Sequence, residues 1–161
     1  MKEQPEADRA SVHIFPPVVP LAIVLIGVGI DWLWPSPMFF EIPTPARYWV
    51  GGSIVACAIL GLGFWSVVLV RRSGQSENPW KPTVSIIDRG PFNVTRNPMY
   101  LQMVLVCVGL AVLLSNLWIL ALAPACAWIL QRFAIVPEEA YLEQKFGEQY
   151  TSYKSRVRRW L

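Results

Sequence analysis

The sequence predicts an all-α integral membrane protein with four transmembrane segments, the last two a helical hairpin, followed by a C-terminal cytoplasmic amphipathic helix. Three observations predict it. Of 161 residues, 54% are apolar and only 16% are charged, against about 25% charged in a soluble domain. The apolar residues fall into runs of membrane-spanning length, and the short segments between them hold nearly all the charge. The length suits a single membrane domain, 1–161.

The first run, 15–34, has 20 residues, and at about 1.5 Å per residue it crosses the roughly 30 Å hydrocarbon layer. The stretch before it holds more acid than base, and no A-x-A-like site follows, so it does not read as a cleaved signal peptide. The second run, 48–70, is bounded by Arg47 and by Arg71-Arg72, with Trp49 and Trp65 placed for the interfaces. The third, 99–114, ends at the turn signal Ser115-Asn116. The fourth, 117–136, follows at once, so these two form a tight hairpin whose second arm Pro124 is expected to kink. Close helix packing needs small residues, which places Gly52, Ala56 and Gly63 on one contact face and Ala121 and Ala125 on another. From Pro137 a new helix is expected, with Glu138 and Glu139 at the positive end of its dipole. Leu142, Phe146, Tyr150, Tyr153 and Val157 recur at helical spacing, so 137–161 reads as an amphipathic helix on the membrane surface or against the hairpin.

Charge orients the chain. Arg71, Arg72, Lys81, Arg89 and Arg96 lie between the second and third runs. Lys145, Lys154, Arg156, Arg158 and Arg159 lie in the C-terminal segment, Lys2 and Arg9 precede the first run, and Arg47 alone lies between the first and second. The positive-inside rule then makes both termini and the long loop cytoplasmic. A basic cytoplasmic face attracts membrane lipids or an anionic substrate; nucleic acid is not expected. Cys57, Cys107 and Cys126 sit in apolar runs without C-x-x-C spacing, which argues against a disulfide scaffold or a zinc site. The single histidine, His13, precedes the membrane runs, so histidine-based nucleophilic catalysis is not expected. Gly27-Val-Gly29 and Gly61-Leu-Gly63 lack the third glycine of a dinucleotide fingerprint.

Three features stand apart from membrane filler. The loop 71–98, with four prolines and two glycines, is long for a helical connection, and such loops are usually functional or disordered. Arg132 lies near the end of the fourth run, where an arginine is costly; it snorkels or pairs with a carboxylate such as Glu138, with direct ligand contact the third option. The pair Glu138-Glu139, on its own evidence, is an ordinary helix start.

The joint order of motifs says more. The stretch GPFNVTRNPMYL (90–101), an apolar hairpin, and PEEAYLEQKFGEQYTSYKSRVRRWL (137–161) together resemble the isoprenylcysteine carboxyl methyltransferase and phospholipid methyltransferase superfamily. The pattern is G-P-Y, R-H/N-P-x-Y-x-G, a hairpin, then E-E, F-G, Y-x-x-Y and a basic end, and it covers 71–161, including the Asn-Pro-Trp-Lys-Pro stretch (78–82). Phe92 stands in place of the usual tyrosine, and Gln102 where many members have glycine.

The resemblance implies methyl transfer from S-adenosylmethionine, leaving S-adenosylhomocysteine, to a lipophilic acceptor that enters from the bilayer: an isoprenylcysteine-like carboxylate, or a lipid or thiol. Carried over by position, Asn97, Pro98, Tyr100, Leu101, Gln102, Glu138 and Glu139 bind the cofactor, with Leu101 and Met103 as apolar wall. Arg96 and Tyr100 are the implied catalytic residues, and Arg96 and Arg132 the implied substrate contacts. Arg96 would hold a carboxylate acceptor by a bidentate pair, so that Arg96→Ala abolishes turnover with little loss of protein. Glu139 would accept hydrogen bonds from the ribose or pair with the cofactor's amino group. Such a reaction needs no histidine, because a sulfonium methyl is already activated and positioning supplies most of the acceleration. A phospholipid N-methyltransferase, an NADPH-dependent membrane reductase and a non-catalytic lipid-binding or scaffold protein are the alternatives. Metal ligands are not expected, and the oligomeric state is not readable.

Overall fold

A computed structural model describes residues 10–37, 42–78 and 80–161; Lys2, Arg9 and Pro79 of the sequence argument fall outside them. No strand occurs among the described residues. Two helices are long and apolar enough to cross a membrane, α2 (Ala46–Arg72) and α4 (Leu117–Phe146). Two shorter apolar helices accompany them, α1 (Val18–Leu33) and α3 (Pro98–Leu113), and α5 (Glu148–Arg156) closes the chain. Helix α3 is central and touches α1, α2 and α4, while α1 also packs on α4. Apolar side chains cover the outside too: Leu25, Leu60, Phe64 and Trp49 are each more than 60% exposed. An apolar exterior of this extent is the mark of a surface that meets lipid or another apolar phase.

The expected small-residue faces are displaced. On α2 the buried positions are Gly51, Ala58, Gly63, Ser66, Leu69 and Val70, whereas Ala56 is exposed and nothing lies within 4 Å of a Cβ added at Gly52. The reason is a π-helical segment, Cys57–Phe64. An extra residue per turn rotates everything beyond it by about 100°, so a face drawn backward from Gly63 at 3.6 periodicity misses by one position. Gly51 and Gly109 form the close crossing of α2 and α3; a Cβ on Gly51 would stand 2.8 Å from the Gly109 carbonyl oxygen. On α4 the buried stripe is Ile119, Ala123, Cys126 and Leu130, with Ala121 exposed and Ala125 half-buried.

The hairpin turn is built as the sequence suggests. Ser115 adopts φ 49°, and the buried Asn116 caps α4, its Oδ1 accepting from Ile119 N at 2.9 Å while Nδ2 donates to the Gly27 carbonyl at 3.3 Å. No new helix begins at Pro137. Helix α4 runs through it, preceded by a second π segment, Gln131–Ile135. Proline lacks the N–H that would bond the carbonyl four residues back, and that carbonyl, Phe133 O, accepts instead from His13 N at 3.3 Å. The segment before α1 is thereby bound to the bundle, with Ala10 and Val12 buried in its main core.

The expected C-terminal amphipathic helix is two helices, α4's last turns and α5, separated by Gly147 at φ 51°. Its stripe faces neither lipid nor the hairpin. Tyr150, Tyr153, Val157, Leu142 and Phe146 form a second core with Ile86 of the long loop. Residues 10–17, the loop and the C-terminal segment therefore lie together at one end of the bundle.

Candidate functional site

At that end a buried ionic clasp joins three parts of the chain. Glu139, 4% exposed, accepts from Arg96 Nε at 3.2 Å and Nη2 at 3.0 Å. It also accepts from Arg159 Nη2 at 2.7 Å and from Asn97 Nδ2 at 3.4 Å. Arg96 uses its remaining nitrogen on carbonyls, Nη1 donating to Lys154 O at 3.0 Å and Val157 O at 2.7 Å. Its backbone N donates to Arg158 O at 2.9 Å, and the buried Thr95 hydroxyl donates to Arg159 O at 2.9 Å. The hydrogen bond to Glu139 raises the Arg159 pKa above its ordinary value, outweighing burial.

Beside the clasp lies a cavity of about 110 Å³ with a mixed lining, polar from Gln75, Glu77, Arg96, Asn97, Glu138 and Glu139 and apolar or aromatic from Val70, Ile86, Phe92, Leu142, Tyr150 and Tyr153. The loop wall is held by the Gln75 carboxamide, which donates to Ser85 O at 2.9 Å and accepts from Val84 N at 2.9 Å. Tyr153 donates to Phe92 O at 2.7 Å. Tyr150 is 2% exposed, and its hydroxyl bonds to no described residue. Burial, followed by the Glu139 charge, raises the Tyr150 pKa, so that hydroxyl stays protonated at neutral pH.

A second space, an apolar groove of about 550 Å³, runs between α2 and α3 under Phe15 to Pro17 and Trp80. Phe15 stacks on Trp80 with centroids 6.0 Å apart, and Trp80 Nε1 donates to Val12 O at 3.0 Å. Glu77, Asn78 and Met99 line both cavity and groove, so the two meet there. Glu77 is not free: the Arg71 guanidinium hydrogen-bonded to it holds its carboxyl down to about 2. A hydrogen bond crosses the wall between the spaces, from the Tyr100 hydroxyl on the groove side to Glu138 Oε2 on the cavity side at 2.8 Å.

The sequence-predicted residues divide accordingly. Asn97, Glu138 and Glu139 do line the cavity, with Arg96. Tyr100, Gln102 and Met103 line the groove instead. Pro98 and Leu101 are buried but line neither. Arg132 is exposed, lies on neither space and makes no bond to a described residue; Glu138, its expected partner, is bonded to Tyr100. Arg96 differs most from expectation, since its three nitrogens are already engaged by Glu139 and the C-terminal carbonyls. In this setting Arg96 ties Glu139 to the C-terminal carbonyls, so its removal is expected to disturb the fold as well as the cavity. Sequence reasoning missed Gln75, Glu77, Tyr150 and the segment 10–17. The Y-x-x-Y spacing was the available signal for Tyr150, but it was read there as a packing stripe.

Among the described residues no group of three or more potential metal ligands occurs. A family model described as phospholipid methyltransferase matches residues 47–149, from the start of α2 into α5. An uncharacterized protein of Haemophilus influenzae is 38% identical over 71 residues, 39% of this chain and all of that protein. No solved structure matches.

Proposed function

The chain belongs to the phospholipid methyltransferase family, and we propose that it moves a methyl group from S-adenosylmethionine onto a lipophilic acceptor seated in the groove between α2 and α3. The observation that carries this reading is the junction at Glu77, Asn78 and Met99, where a cavity bearing carboxyl, amide and guanidinium groups and an almost wholly apolar groove share a wall. A methyl donor that is a charged nucleoside and an acceptor that is a lipid need such unlike compartments side by side. The residues present fit the donor in kind: Glu77, Glu138, Glu139 and Asn97 offer oxygens that accept hydrogen bonds from a nucleoside's hydroxyl and amino groups, and Phe92, Tyr150 and Tyr153 give aromatic surface for its sulfonium. At about 110 Å³ it is smaller than the roughly 300–1,000 Å³ of small-molecule sites, so loop and tail must part to admit a nucleoside.

We place the site end of the bundle at the cytoplasmic face, with all four apolar helices crossing, because ten of the 14 basic residues lie in the loop and C-terminal segment. When bound, the cofactor supplies a methyl already activated by its sulfonium. The chain's own residues orient and desolvate. Glu139, fixed by Arg96, Arg159 and Asn97, holds the cavity wall against the tail. A carboxylate or thiolate acceptor attacks without a base, so alignment along the junction suffices. A protonated amine must first lose a proton. The Tyr100–Glu138 hydrogen bond gives it a route, the Tyr100 oxygen taking the proton from the groove as its own hydrogen passes to Glu138 in the cavity.

Calorimetric titration of the purified protein with S-adenosylhomocysteine, beside NADPH, tests the reading. Saturable binding of the nucleoside that Tyr150→Phe weakens is expected. Binding of NADPH alone would move the protein to a reductase, and binding of neither by a folded sample would leave a lipid-binding or scaffold protein.

A further inference from the structure

Gln102 sits where the resemblance places glycine, and the structure puts it in the groove, not the cavity. Its carboxamide bonds to no described residue. It is nevertheless held in place, lying on the open face of Gly63, where an added Cβ would stand 2.7 Å from Gln102 Oε1 and 2.8 Å from Cδ. The remaining helix-borne wall is apolar, from Ile59, Phe64, Val67 and Met103, apart from Tyr100, whose hydroxyl is committed to Glu138. A carboxamide with no partner among the described residues, set in such surroundings, is stabilised by a ligand that brings a matching group.

We propose that Gln102 is a specificity-determining residue that selects an acceptor bearing a neutral carbonyl, an amide or an ester, on its lipid chain. This rests on the groove being the acceptor's. Gln102 lies three residues along α3 from Met99 at the junction, a rise of about 4.5 Å. The carbonyl is therefore one helical turn deeper than the reacting atom, a few bonds away along the chain. A charged group is not what this wall selects, since a carboxamide offers one donor and one acceptor face with no net charge.

The test uses the whole protein in amphipol and two probes of equal chain length, N-methylhexadecanamide and octadecane, competing against a fluorescent fatty acid. The wild type should prefer the amide by about threefold to tenfold, the contribution of one neutral hydrogen bond. Gln102→Leu should bring that ratio to about one without lowering affinity for the hydrocarbon. Gly63→Ala should do the same with the glutamine intact, because the new methyl evicts its carboxamide. An unchanged preference in both variants, or none in the wild type, overturns the proposal. Binding of S-adenosylhomocysteine is measured on the same samples and should not change; its absence from the wild type would refute the methyltransferase reading separately from the outcome for Gln102.

Discussion

Replacing Glu139 by alanine should cost far more than an ordinary surface substitution. Its carboxylate is 4% exposed, and its first partner, Arg96, has a side chain only 8% exposed. Removing one member of a buried pair leaves the other charge uncompensated, at about 3–5 kcal/mol. Arg159 is a third exposed, and a solvent-facing pair of that kind contributes about 0–1 kcal/mol. Near 161 residues, each kcal/mol moves a melting midpoint by about 2–4 °C, so Glu139→Ala should lower it by roughly 10 °C and Arg159→Ala by a few degrees at most. Thermal unfolding in detergent, followed by helical circular dichroism, reads both. The double variant Arg96→Met with Glu139→Leu removes both buried charges and should recover much of the loss. A Glu139→Ala midpoint within about 2 °C of wild type, or a double variant less stable than either single one, would refute the clasp as a stabilising element.

Other outcomes follow from the same geometry. Tyr153→Phe removes a bond to a backbone carbonyl and should cost about 1 kcal/mol of stability, whereas Tyr150→Phe removes a hydroxyl with no partner among the described residues and should leave the melt unchanged while weakening nucleoside binding about threefold to tenfold. Gly51→Ala should separate α2 from α3, because its methyl meets backbone atoms at 2.8 Å, and its melt should fall by several degrees while Gly52→Ala, with open space, melts like the wild type. Asn116→Ala strips the α4 cap and a bond to Gly27, lowering stability by about 1–2 kcal/mol in chemical denaturation.

The four apolar helices were legible because their signal is a long sum over many residues, robust to any single position. Which face each helix buries was not legible, because it depends on phase, and one extra residue in Cys57–Phe64 shifts the phase by a whole position. The same limit hid the continuity of α4 past Pro137: the sequence shows the missing N–H, but the donor that replaces it comes from His13, more than 120 positions away. For the candidate site, residue types picked out Asn97, Glu138 and Glu139, which the fold brings to one cavity. Their division of labour was unreadable. Arg96 has the chemistry of an anion ligand, and only the positions of Lys154 O, Val157 O and Glu139 reveal that its donors are occupied.

The π turn at Gln131–Ile135 makes this helix more sensitive to length than to composition. Loss of any one residue there would let the helix relax to ordinary pitch, and all that follows would swing by about 100° around its axis. Glu138 would leave Tyr100 and Glu139 would leave its arginines in the same motion. Substitutions at the exposed Arg132 and Phe133 are tolerated, but a single-codon deletion removes cavity, clasp and the crossing hydrogen bond together, so the gene should be far less tolerant of indels here than in the loop around Lys81.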